Sequence, residues 1–443
     1  MINERSSHRL KFHLFMSSND PHIPAMDSGL KSNFVDLPRG VYNKAAYAQD
    51  QMKRYLKTMA AGEELGFDGL MLMEQRAPGF MPNVMITSAA LAERTSRVQI
   101  IAAGPVINSY QGPLQAAEAI ATLDVVANGR LGVGFPLGIG TAYHATNANP
   151  SEARARFVEG LAFIDKALAE DEPFEWRGDY YHYPIVNLWP TPLHTPERWL
   201  PAAGSRETIE LAARGKYTYM AILNPRASMI RNLNLFKEIA ETEYGYTPEP
   251  QQSAAVVHIY VAETDEQARR EAEPHLAWMN QSVMRSAFHD FFPPGYTSPE
   301  SLRAMLSSGY RSKSPSEFSF DELVEEGMAL VGSPKTVREA LEKLVNDLGT
   351  GQIVVMADAG SMPEWMSTKS MTLFAREVMP YFRDAGGRPS WEVERPVGYT
   401  TQSEFGATRP PYPIDAETRI HGFGYVNVET AHIDALRVKL RDE

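Results

Sequence analysis

Residues 98–143 read VQIIAAGPVINSYQGPLQAAEAIATLDVVANGRLGVGFPLGIGTAY. Ile100, Ile101 and Ala102 form a short apolar run that stops at Gly104-Pro105, the pattern of a buried strand. Leu114, Ala117, Ile120, Ala121 and Val125 then recur at helical spacing, and Asn128-Gly129 is a helix stop. Residues 131–135 make a second apolar run, followed by Gly138-Ile139-Gly140. Strand, helix and strand with glycines after each strand is a βαβ unit, and those glycines let a ligand approach the backbone.

Working outward, the same alternation recurs. Before the unit, residues 10–16 read as a strand, 45–65 as an amphipathic helix ending at Gly66, 67–73 as a strand and 82–94 as a helix. After it come a helix over 151–169, a strand over 199–203 and a helix over 205–214. Strands are predicted at 216–223 and 254–262, each followed by a helical segment. Ser333-Pro334 opens a helix to about residue 348, with Pro at the first helical position. The last strand spans 352–356 and the last helix 363–382. These are eight strand–helix steps, the pattern of a (β/α)₈ TIM barrel over residues 1–383. Insertions are expected at about 17–44, 173–199 (an irregular excursion or hairpin) and 281–320. Residues 384–443, rich in Pro, Gly, Thr and Arg, form a C-terminal extension expected to wrap the barrel or a partner subunit.

The 443 residues suffice for a sizeable core, and 43% hydrophobic with 22% charged residues is ordinary for a globular enzyme. A net charge of -12 argues against nucleic acid or an anionic membrane as the main partner. With Cys 0, disulfides, thiolate metal sites and a cysteine nucleophile are excluded. MINERSSHRLKF has no apolar run of signal-peptide length, and no stretch reaches the roughly 18 apolar residues of a membrane span. A cytoplasmic location is therefore expected.

Barrel enzymes carry their sites on the loops where strands end. That rule selects Glu74-Gln75-Arg76, Ala103-Gly104-Pro105, Pro136-Leu137-Gly138 and Ala203-Gly204-Ser205. In Gly204-Ser205-Arg206-Glu207-Thr208 a strand hands over to a helix whose first N–H groups lack helical acceptors. A phosphate could take those donors, the helix dipole, the hydroxyls and the Arg206 charge together; Ser205 could equally be a plain N-cap. Glu74 could be a base or an orienting carboxylate, or simply an acid paired with Arg76. His144 follows the Gly-rich turn and could face the same mouth, or serve packing like His182. No His-x-x-x-His spacing or acidic cluster points to a metal, and no G-x-S-x-G points to a serine triad. Gly134 to Gly140 lacks the spacing and following acid of a dinucleotide fingerprint.

Ordered motifs carry a resemblance. They are Gly66-Phe67-Asp68-Gly69 leading to Glu74, Ala121-Thr122-Leu123-Asp124 with Gly129-Arg130-Leu131, and Gly138-Ile139-Gly140. Asn149-Pro150-Ser151-Glu152-Ala153-Arg154 with Arg156-Phe157, Gly204-Ser205 with Glu207-Thr208, and Val331-Gly332 with Pro334-Lys335-Thr336-Val337 complete the set. From about Lys11 to Arg383 the chain resembles the bacterial luciferase-like family of flavin-dependent monooxygenases, on the side of its alkanal and limonene monooxygenase-like branch.

The resemblance implies reduced FMN, supplied by a separate flavin reductase, at the C-terminal mouth of a barrel. Its phosphate would be held by Gly204, Ser205 and Thr208 with help from Arg154. Ala103, Gly104 and Pro105 would touch the ring, and a cis Gly104-Pro105 bond would cost little. Leu137, Gly138, Ile139 and Tyr143 would line the ribityl and phosphate side. Two departures stand out. Gln75 and Arg76 replace two histidines, the first of which usually transfers protons beside the flavin, and Gln cannot exchange a proton near neutral pH. Leu137 stands where the branch tends to have Arg, a charge that Arg206 would replace. Glu74, Gln75, Arg76 and His144 are thus the catalytic candidates. Three activities follow: a two-component monooxygenase using FMNH₂ and O₂ on a small, fairly apolar organic substrate, a deazaflavin-dependent hydride transferase, or a non-catalytic flavin-binding subunit of a heteromeric enzyme. A homodimer is the expected assembly. Tyr180, Tyr181, Tyr183, Trp189, Phe291, Phe292 and Tyr296 would either cover the site or pack their own insertions.

Overall fold

Apolar runs with no polar face are the mark of parallel strands covered on both sides by helices. In chain order the strands are β1 Lys11–Phe15, β2 Gly69–Met73, β3 Gln99–Ala103, β4 Leu131–Gly134, β5 Phe174–Arg177, β6 His182–Val186, β7 Glu197–Ala202, β8 Thr218–Ile222, β9 Ser253–Val261, β10 Ala329–Gly332 and β11 Gln352–Met356. Eight of them pair in parallel in the closed order β1-β2-β3-β4-β7-β8-β9-β11 and back to β1. This is the TIM barrel read from the sequence. The computed structural model describes residues 9–17, 38, 41, 44–76, 83–110, 112–146, 148–280, 288–296, 298, 299, 303 and 317–383. The C-terminal extension, and most of the insertions at 17–44 and 281–320, lie outside the described residues. No helix among the described residues is long and apolar enough to cross a membrane.

Alternation sends one set of side chains inward and the other toward the helices. Phe15, Met71, Ile101, Trp199, Met220, Val256 and Val354 fill the barrel. Leu14, Leu72, Ile100, Leu200, Val257 and Ile353 join the helix-facing core. At the N-terminal end of the barrel the interior turns polar: His13 meets Gln352 at 2.6 Å, and Glu197 accepts from Gln99, Thr218 and Gln352 at 3.1–3.2 Å. Such a plug serves stability, since barrel chemistry sits at the other face.

Two elements stand apart from the barrel ring. The excursion at 173–199 contains an antiparallel hairpin of β5 and β6. β10 pairs in parallel with the C-terminal half of β9, Ala329 level with His258. Its four residues, ALVG, are too short to signal a strand by periodicity. The Gly-Ile-Gly turn also runs directly into a short helix, Gly140–Thr146, which the sequence reading leaves as a turn. The final helix, Glu364–Leu373, passes into a π turn and a 3₁₀ turn to reach Phe382.

Candidate cofactor and active site

The turn after β7 gathers a donor set from two helices. Ser205 precedes the helix Arg206–Gly215, yet its side chain does not cap the helix. Its hydroxyl lies 2.7 Å from the Thr208 hydroxyl. The Arg154 guanidinium, from the second residue of the helix Ala153–Ala169, donates to both, at 3.2 Å to Thr208 and 3.4 Å to Ser205. Gly204 is required here: its φ of +108° is left-handed, and a Cβ would collide with the Asn232 side chain. The helix start contributes N–H groups without intrahelical acceptors and the positive end of its dipole. Arg206 goes elsewhere. Its side chain is 62% exposed and lies 3.7 Å from Glu243, so it is not brought into the cradle. Arg154 supplies the positive charge instead.

The second wall is made by the ends of β2 and β3. Glu74 is buried beside Gly104, where an added Cβ would stand 2.9 Å from Glu74 Cβ and 2.6 Å from Val84. Only glycine allows that approach. Arg76 reaches Glu74 Oε1 at 3.5 Å. Burial pushes the Glu74 carboxyl up to about 7, against the opposing pull of Arg76, the Val106 N–H and Tyr110. Burial first, and then the Glu74 charge, likewise raise the Tyr110 phenol. Ala103, Gly104 and Pro105 are buried, and the Gly104–Pro105 peptide is cis, the geometry that the sequence reading allows for. Gln75 is half-buried beside them.

Between these walls lies the turn after β4. Leu137, Gly138 and Ile139 are half-buried, and the Tyr143 hydroxyl donates to the Leu137 carbonyl. Asn108 ties this turn down, donating to Tyr143 Oη at 3.2 Å and to the Ala153 carbonyl at 2.8 Å. Tyr296, from the described part of the 281–320 insertion, donates to the Gly138 carbonyl and packs on Tyr143 with ring centroids 5.5 Å apart. Ser298 donates to Glu207 at 3.0 Å. Tyr296 and Ser298 thus tie to the Gly138 turn and to the helix that follows Ser205. His144 is exposed, with no hydrogen bond or ion pair to this group among the described residues.

Other motif and aromatic residues are structural. Asp124 accepts the N–H groups of Leu193 and His194, at 2.7 and 3.2 Å. Arg130 donates to the carbonyls of Ala92, Thr95 and Val98. Asp68 joins Arg9, Arg383 and the Phe12 N–H. Tyr180 and Tyr181 stack on Arg156, Tyr183 packs on Phe163, and Trp189 is exposed. Asn108, Tyr110 and Asn232 escape sequence reasoning because nothing local marks them.

A phosphate suits the first wall: two hydroxyls, a guanidinium and a helix N-terminus, all able to donate. A flat ring suits the second, where Ala103, Gly104 and Pro105 present no long side chain. The luciferase-like monooxygenase family profile matches residues 36–351. The alkanal monooxygenase alpha chain of Photobacterium leiognathi is 23% identical over 354 residues, 76% of this chain and 95% of its own. Among solved structures, the oxygenating constituent of 3,6-diketocamphane monooxygenase of Pseudomonas putida, a type II Baeyer–Villiger enzyme in complex with FMN, superposes with a TM-score of 0.60 at 21% identity. That match covers 84% of this chain and 98% of the other. An F420-dependent secondary alcohol dehydrogenase, bound to an F420–acetone adduct, gives 0.59 at 17% identity, over 85% of this chain and all of its own. At these identities the solved structures establish the fold.

Proposed function

The chain belongs to the luciferase-like monooxygenase family of oxidoreductases, and on that premise we propose that it is a two-component monooxygenase using reduced FMN and O₂. The observation that carries the reading is the Arg154–Ser205–Thr208 cluster, a ready anion cradle at a helix start beside the barrel mouth. Reduced FMN, once bound, would supply the two electrons and the O₂ activation that a monooxygenation needs. The remaining work falls to the protein. Arg154, Ser205 and Thr208 hold the phosphate, with the Gly204 turn shaping their approach. Ala103, Gly104 and Pro105 seat the ring, and Leu137, Gly138, Ile139 and Tyr143 line the side between ring and phosphate. Glu74, titrating near neutrality, holds or releases the proton that Gln75 cannot. Arg76 tunes it.

A separate reductase supplies the flavin, and the substrate is a small, fairly apolar organic molecule. The assembly is a homodimer. The helix Val84–Ala92 reads VMITSAALA, with no charged residue, its Thr87 and Ser88 are buried, and Ile86 on its outer face is 70% exposed.

Anaerobic titration with FMNH₂, FMN and reduced F420 tests the reading, followed by ¹⁸O₂ and a panel of small ketones, aldehydes and alcohols. The expected result is tightest binding of FMNH₂ and one labelled oxygen atom in the product. Binding of F420 alone, with hydride transfer and no label, would establish the deazaflavin alternative. FMN binding without turnover until a homologous partner is added would establish the non-catalytic subunit.

A further inference from the structure

The sulfur atoms of the barrel wall differ in access. Met71, Met220 and Met356 belong to the interior cluster and are at most 2% exposed. Met73 follows Met71 on the same face of β2 and packs on the same cluster, yet it is only half-buried. Below it Met71 and Ile101 are closed off at 0%, so the open surface of Met73 lies on the mouth side. Among the described methionines the one other that is not buried is Met52, 36% exposed on the helix Ala45–Glu64 outside the barrel.

Register sets what stands beside that sulfur. Met73 is level with Ala103 on β3, and such neighbouring strands run about 4.8 Å apart. Ala103 is in the interior cluster too, so the two side chains share a face. Ala103, Gly104 and Pro105 are the residues proposed to seat the flavin ring. A thioether is soft and polarizable, and one oxygen atom turns it into a sulfoxide.

We infer, on the reading of the mouth as a flavin site, that Met73 is a self-oxidation site that limits turnover without substrate. With reduced FMN and O₂ at the mouth and no substrate in place, the Met73 thioether takes the oxygen atom. FMNH₂ gives two electrons and two protons, and the sulfur gives two electrons as its S–O bond forms. The O–O bond breaks, the second oxygen leaves as water, and FMN and methionine sulfoxide remain. The sulfoxide puts a polar, chiral group beside the ring seat where an apolar one stood, which weakens the hold on FMN.

The test loads the protein with photoreduced FMN under argon, then admits ¹⁸O₂ with catalase present and no substrate, and reads each methionine by peptide mass spectrometry. Sulfoxide at Met73 is expected to carry one ¹⁸O and to exceed that at Met52 by about tenfold or more, since proximity favours the acceptor held at the site. Dissolved H₂O₂ without flavin should reverse that order, because exposure then decides. The FMN affinity of the parent should fall after the ¹⁸O₂ treatment, and that of Met73→Leu should not. FMNH₂ that binds and is reoxidised while Met73 stays unlabelled, labelling in the order of exposure, or an unchanged affinity of the oxidised parent would each overturn the inference and leave the flavin reading standing. A protein that takes up no FMNH₂ would overturn both.

Discussion

Burial holds the Glu74 carboxyl near neutrality, so its proton is exchangeable at physiological pH. Its folded value of about 7 lies above the ordinary 4.5. Its contribution to stability is therefore fully present below the unfolded value and is lost as pH rises through the folded one. Glu74→Gln, which stays neutral, should be more stable than the parent at pH 8 by something on the order of a few kcal/mol. The two should converge near pH 5, as followed by denaturant unfolding at both pH values; parallel curves would show that burial is not what shifts the group. Arg206 makes the opposite case. Exposed and paired with Glu243, it should be replaceable by Ala with a change in FMN affinity of no more than about twofold. Ser205 and Thr208 are legible in the sequence because a Gly-Ser turn at a strand–helix junction has local chemistry. Met73 is not. It is one more apolar letter in an apolar run, and Ala103 stands beside it only once β2 and β3 pair.

The element that positions the cradle is the junction of β7 with the helix Arg206–Gly215. Gly204→Ala would force a Cβ into a left-handed residue and against Asn232. Weakened FMN binding is expected together with a lower unfolding midpoint, measured by fluorescence titration and by thermal melts. A drop in midpoint with intact FMN affinity would mean that the turn's geometry matters to the fold alone. The eight barrel strands are legible because each is a short apolar run closed by a turn signal, and their helices because of a 3.6-residue period. β10 is not, since its pairing with β9 is decided by tertiary contact. The helix Gly140–Thr146 is hidden for a related reason: glycine at its start reads as a turn, and the ring that packs on its Tyr143, Tyr296, comes from far along the chain.

At the scale of the molecule, the proposed homodimer would use the outer face of the helix Val84–Ala92, where Ile86 is exposed. Light scattering behind a sizing column should give that dimer, and Ile86→Lys should give a monomer; a monomeric parent would contradict the assembly. Strand pairing is also what assembles the candidate phosphate cradle, because Arg154 and Ser205 come from different βα units that the β4–β7 pairing brings together. A donor cluster built for a phosphate should distinguish FMN from riboflavin, which has the same ring and no phosphate. The decisive measurement is the affinity of each flavin for the parent and for Arg154→Ala. The parent should prefer FMN by roughly tenfold to a hundredfold, as one or two charge-assisted hydrogen bonds would give, and the variant should lose most of that preference while binding riboflavin as before. An equal affinity of the parent for both flavins, or a preference for FMN that survives the loss of Arg154, would show that the phosphate is held elsewhere.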